Sequence, residues 1–152
     1  MAVDGALAGT SYPPTEIYEV SRLKIREFAE AVGAHSPVHT DPEAARALGH
    51  ADVIAPPTFP FLVTHRASDR LLKGPEWGLE AAHLIHLDQR ITQNRPVRAG
   101  DRLAVTLHLD SVTRLGGKDV LRMRGEVRDA DGGHVADAHM TVMAGMPEER
   151  KP

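Results

Sequence analysis

Apolar residues recur at helical spacing in the first half of this chain and at alternate positions in the second half. Between Ser21 and Val32, the side chains of Ile25, Phe28, Ala29 and Val32 fall on one face of a helix. Ser21 reads as its N-cap and Gly33 as its stop. A short second helix follows, with Asp41 as cap, Pro42 in the first position and Gly49 at the end. The main helix is predicted from Phe59 to about Lys73, capped by Thr58 and ended by Gly74-Pro75. Its apolar face is Phe59, Leu62, Val63, Ala67 and Leu71. Pro60 is tolerable there because it falls in the first turn. From His83 onward the period changes to two. Leu103, Val105, Leu107 and Leu109 alternate with Ala104, Thr106, His108 and Asp110, and Leu121, Met123 and Val127 alternate with Arg122, Arg124 and Arg128. Ala136, Ala138, Met140 and Val142 make the next apolar face. Gly116-Gly117 and Asp131-Gly132-Gly133 are the hairpin signals between these runs.

Helices first and an antiparallel meander afterwards is an α+β order. One arrangement buries all these faces: a curled antiparallel sheet wrapped around the Thr58–Lys73 helix. A sheet with a single helix layer leaves an edge or a face unsatisfied, and pairing with a second such domain answers that need. A dimer is therefore expected. Residues 1–11 are small and weakly apolar and are expected to be a flexible N-terminal segment. Residues 12–146 read as a single domain and 147–152 as a C-terminal tail. Within that domain, Tyr12-Pro13-Pro14 leads into an extended piece from Glu16 to Val20.

Composition narrows the function. The 152 residues are 41% hydrophobic and 26% charged, a globular balance. Net charge is −3 and the basic residues are scattered, which argues against a nucleic-acid or anionic-membrane surface. There is no cysteine, which removes disulfides, thiolate catalysis and cysteine-ligated metals together. Met1 to Thr10 lacks the basic and apolar regions of a signal peptide, and no apolar run approaches the ~20 residues that cross a bilayer. A cytoplasmic location is the expectation.

The candidate chemistry lies in two stretches. Tyr18-Glu19-Val20, Lys24 to Ala29, Gly33 to His39 and Ala55-Pro56-Pro57-Thr58-Phe59 form an ordered series. Asn94-Arg95-Pro96-Val97-Arg98-Ala99-Gly100-Asp101 follows, then Asp110-Ser111-Val112 and Ala144-Gly145. This series resembles the MaoC-like (R)-hydratases and dehydratases from about Tyr12 to Gly145. Within them it is most similar to the A-type subunits of actinobacterial heterodimeric 3-hydroxyacyl-thioester dehydratases. The resemblance implies a hot-dog fold and reversible removal of water from a 3-hydroxyacyl thioester. The thioester is carried on coenzyme A or an acyl carrier protein, in fatty-acid or polyketide metabolism. It implies no cofactor and no metal.

In that family a His/Asp pair moves the proton and the water, while preorganised donors stabilise charge on the thioester oxygen. The central helix aims its N-terminal N–H groups at the thioester. The family loop reads Gly-Asp-x-Asn-Pro-hydrophobic-His. Here it reads Gly33-Ala34-His35-Ser36-Pro37-Val38-His39. His39 keeps the histidine position, Ala34 replaces the aspartate and Ser36 the asparagine. By the same resemblance, Ser36, Pro57, Thr58, Phe59 and Leu62 are the expected substrate-binding residues. An alanine methyl transfers no proton, so half of the acid/base pair is missing.

Three readings follow. The chain is the subunit of a heterodimer whose hot-dog partner supplies Asp and His, a self-sufficient homodimer using His39, or a non-catalytic acyl-thioester binder. His35 and His39 need not converge, because neighbouring side chains in an extended loop point to opposite sides. Asp41 reads as a helix cap. His83 and His86 suggest a metal pair, but their spacing on a strand puts them on opposite faces without a third ligand. Arg95, Arg98 and Arg102 read as a solvated rim, with a carrier phosphate as the functional alternative.

Overall fold

In the computed structural model, residues 3–74, 77 and 84–145 are described. Strand β1 (Tyr18–Glu19) precedes helix α1 (Arg22–Ala31), a 3₁₀ turn at Pro37–His39, helix α2 (Pro42–Ala47) and the central helix α3 (Pro60–Leu72). Strands β2 (Leu84–Gln93), β3 (Arg102–Leu115), β4 (Lys118–Asp129) and β5 (His134–Ala144) follow. They form one five-stranded sheet in the order β1-β3-β4-β5-β2, and every pairing is antiparallel.

The sheet curls around α3 because its apolar positions alternate as the sequence requires. Leu103, Val105, Leu107 and Leu109 are buried on β3, and Leu121, Met123 and Val127 on β4. Register aligns Leu107, Gly125, Ala138 and Ile91 across β3, β4, β5 and β2. The small residues in the middle of that row let α3 approach. A β-carbon added at Gly125 would lie 2.7 Å from Cγ2 of Thr64. That methyl cannot rotate away freely, because the Thr64 hydroxyl donates to the carbonyls of Pro60 (3.0 Å) and Phe61 (3.2 Å). Gly125→Ala is therefore expected to cost about 1–3 kcal/mol. Adding Thr64→Ala should return part of that loss, which a double-mutant cycle by urea denaturation measures.

Between β3 and β4 the chain turns through Gly116 and Gly117, both at positive φ (57° and 79°), the two-residue hairpin geometry that glycine adopts without strain. The core has two parts. One packs α1 and the start of α3 on the sheet through Ile25, Phe59, Val63, Val105 and Val127. The other gathers Leu72, Trp77, Leu109, Leu121 and Met140, and includes Val3.

Several expectations change. The main helix starts at Pro60, not after a Thr58 cap, and Phe59 takes the cap position with no side-chain bond. Proline at the first helical position needs no N–H and brings its φ already set, so it fixes the start one residue later. α1 ends at Ala31, which leaves Val32 50% exposed rather than on the buried face. The extended piece narrows to Tyr18–Glu19. The first eleven residues, from Val3 onward, are docked rather than loose. The Val3 N–H donates to the buried Asp119 carboxylate (2.7 Å), and the N–H of Gly9 and of Tyr12 donate to the Leu109 and Leu107 carbonyls. Ser21 does cap α1, accepting from the Lys24 N–H, and Asp41 caps α2, accepting from that of Glu43.

Candidate active site

The loop after α1 is fixed at both ends. Gly33 takes a positive φ of 71°, and the Ala34 N–H donates back to the Ala29 carbonyl at 2.8 Å. The chain then extends through His35 and Ser36, both exposed, and tightens into the Pro37–His39 turn. The N–H of Thr40 and of Asp41 both reach the Pro37 carbonyl. Pro37 sets this turn locally, and the Asp41 cap starts α2 immediately behind it.

His39 leaves this turn pointing inward and is 8% exposed. Its Nδ1 lies 2.7 Å from the Ile54 carbonyl oxygen. A carbonyl only accepts, so Nδ1 carries the proton, and in the neutral ring the lone pair sits on Nε2. Nε2 is then the ring nitrogen able to accept a proton. Ala34, five residues earlier, is half-buried, and its methyl neither donates nor accepts.

Ile54 also joins the two signature stretches. Its N–H donates to the Val38 carbonyl, and the residue bridges to Arg98. Ala55 and Ala99 bond to Val97 and Val53 on either side. In the second stretch, Arg95 binds Asp101 through both guanidinium arms (2.8 and 3.1 Å) and reaches Asp129 at 3.3 Å. The Asp101 carboxylate, itself buried, raises Arg95 above its ordinary pKa. Arg95 is thus a fixed brace rather than a solvated rim residue. Arg98 and Arg102 stay exposed and lie near Asp101 (3.7 Å) and Glu19 (3.5 Å).

At the start of α3, backbone donors are scarce. Pro56, Pro57 and Pro60 have no N–H, and the N–H groups of Phe59, Phe61 and Leu62 are spent on Pro56, Thr58 and Phe59. Among the described residues, the Thr58 N–H is the one left unclaimed at this end. Thr58 and Pro57 are exposed. Phe59 is not a surface of this site: it is fully buried and packs edge-to-face on Phe28 at 5.2 Å. Leu62 is half-buried against the core.

Other residues of the site carry no motif. Gln93 donates to the Pro57 carbonyl at 3.0 Å, tying the end of β2 to the approach to α3. Phe61 stacks with two imidazoles, His65 at 5.1 Å and His86 at 5.5 Å, with the rings nearly parallel. Beyond this stack, a groove of about 180 Å³ runs between α3 and strands β2 and β5, with Leu72, Leu84, Met140 and Val142 as its apolar lining. Only the helical period of Phe61, His65 and Ser68 hinted at a shared flank. His83 lies outside the described residues.

Comparison with known proteins identifies the family and the fold. The family described as the FAS1-like dehydratase domain region matches residues 6–138. A UPF0336 protein of Streptomyces avermitilis is 54% identical over 149 residues, 98% of this chain and 99% of that one. Among solved structures, the C-terminally truncated HadBC (3R-hydroxyacyl-ACP dehydratase) complex of Mycobacterium tuberculosis superposes with a TM-score of 0.81 at 29% identity. That match covers 95% of this chain and 100% of that one. A MaoC-like dehydratase gives a TM-score of 0.85 at 31% identity, covering 97% of this chain but 45% of the other. The chain belongs to the FAS1-like dehydratase-region family and has the hot-dog fold of the MaoC-like dehydratases.

Proposed function

We propose that this chain is the acid-deficient subunit of a two-subunit (R)-specific 3-hydroxyacyl-thioester dehydratase, working on a thioester of an acyl carrier protein or of coenzyme A. A hot-dog partner with an intact loop supplies the catalytic Asp and His. The observation that carries this reading is Ala34, at the loop position where the family has its acid, while the His39 position is kept with Nδ1 bonded to the Ile54 carbonyl.

Dehydration takes a proton from C2 and expels the C3 hydroxyl as water, while negative charge gathers on the thioester oxygen. In this chain the unclaimed Thr58 N–H, at the positive end of α3, is the donor suited to that oxygen. The groove beyond the Phe61 stack is the space for the acyl tail. Two features favour a partner. One solved structure covered over its whole length is the HadBC 3R-hydroxyacyl-ACP dehydratase complex. The open edge strand β2 also exposes Ile85 and Leu87 (51% and 49%) next to unpaired backbone. A self-sufficient homodimer is the second reading, and the built geometry of His39 is what favours it.

Paired substitutions in the active complex separate the two. His39→Ala is expected to leave the rate within a few-fold of normal, because a base without its acid has lost the geometry that made it effective. If His39 is the proton-transfer group, the loss should instead be roughly 10²–10⁴-fold. Ala34→Asp restores the missing carboxyl and should raise the activity of the single chain. Circular dichroism serves as the folding control for both. A large loss in a folded His39→Ala complex overturns the catalytically passive role of this subunit.

A further inference from the structure

A second groove lies on the opposite flank of α3, between the helix and the segment leading into β1, with a volume of about 110 Å³. Arg66 and Arg70 stand one helical turn apart along it, so their charges share a face and repel each other. Among the described residues neither pairs with a carboxylate, whereas Arg22, Lys73 and Arg95 each do. Arg66 is held over the Tyr18 ring, 5.4 Å from its centre. Tyr18 is half-buried. Burial raises its phenol above the ordinary value, against the opposing pull of Lys24 and Arg66, and the hydroxyl stays a donor at neutral pH.

The facing wall adds a second hydroxyl. Thr15 Oγ accepts from the Val105 N–H (3.0 Å), which leaves its own proton free to turn toward the groove. Val63 and Ala67 are the buried apolar floor. Glu16, on the exposed rim, is the one carboxylate among the lining residues and opposes an anion. Two arginines and two hydroxyl-bearing residues thus line the groove with one carboxylate. Guanidinium forks suit the tetrahedral oxygens of phosphate better than they suit each other.

We propose that the Arg66–Arg70 groove binds a phosphate group, either as the free anion or on the phosphorylated arm of a thioester carrier. The site stands apart from the dehydration chemistry and does not depend on it. Calorimetric titration of the purified chain with inorganic phosphate, coenzyme A and phosphate-free pantetheine tests it, at constant ionic strength set with chloride. Phosphate or coenzyme A should bind saturably and pantetheine should not. Arg66→Gln/Arg70→Gln should weaken binding about tenfold or more, because two charge-assisted contacts are lost. Glu16→Gln should tighten it. Arg114→Gln/Arg122→Gln makes the same change in net charge on exposed residues elsewhere, and should leave the affinity within about twofold. Comparable affinities for phosphate and coenzyme A support the free anion, and binding of coenzyme A alone supports the carrier arm. The proposal is overturned if neither probe binds, or if affinity is unchanged in an Arg66→Gln/Arg70→Gln protein whose circular dichroism is native.

Discussion

Truncating Phe59 to Ala is expected to lower the free energy of unfolding by about 3–5 kcal/mol, read from equilibrium urea denaturation. The ring has no solvent exposure and meets Phe28 edge-to-face at 5.2 Å. It sits where α1, the start of α3 and the sheet converge, in one cluster with Ile25, Val53, Leu103 and Val127. A methyl in its place removes apolar burial and an aromatic pair, and leaves a cavity that Pro60 and the helix above it cannot collapse to fill. For a domain whose total stability is typically ~5–15 kcal/mol, that is roughly a fifth or more of the whole. Leu62→Ala, at a half-buried position one turn on, should cost clearly less. If Phe59 instead lined a substrate cavity, its truncation would alter KM and leave the denaturation midpoint nearly unchanged.

Local rules made much of this fold legible in the sequence. Ser21 and Asp41 each cap a helix through a bond to a backbone N–H only two or three residues ahead, so the chain itself states the contact. The alternation on β3 and β4 names the buried face without knowledge of any partner. Long-range contacts were not legible. Val3 owes its order to Asp119, and nothing near residue 3 announces that carboxylate. The edge strand β2 has a register shift between His86 and Asp88 and turns Gln89 and Gln93 toward the helix side, so it shows no clean alternation.

The site divides in the same way. His39 was visible through its motif, but its orientation depends on the carbonyl of Ile54, fifteen positions on. Arg95 looked like one of three rim arginines until the turn brought Asp101 and the end of β4 around it. The Thr58 N–H could have been found from the sequence, since prolines on both sides remove or redirect the neighbouring donors. Counting prolines as missing N–H groups, rather than as helix signals alone, would have shown it.

Hydration of a crotonyl or longer enoyl thioester by the chain alone is expected to run about 10²–10⁴-fold slower than by the complex with its intact-loop partner. That range is the usual contribution of one positioned general acid or base. In the isolated chain His39 can accept a proton at Nε2, but Ala34 offers nothing to orient water or return that proton. On the proposed account, the open β2 edge and the exposed Thr58 just before α3 further leave the thioester end of the site in water, where hydrogen bonds to a developing oxyanion count for little. On that same account, a partner covers that edge and brings its own Asp/His pair. The direct measurement is the single-turnover and steady-state rate of the purified chain, of the purified partner and of the co-expressed pair on one enoyl thioester. The account predicts a rate for the pair that far exceeds the sum of the two separate rates. Turnover by the single chain at roughly 1–10³ per second, unchanged when the partner is added, would contradict it.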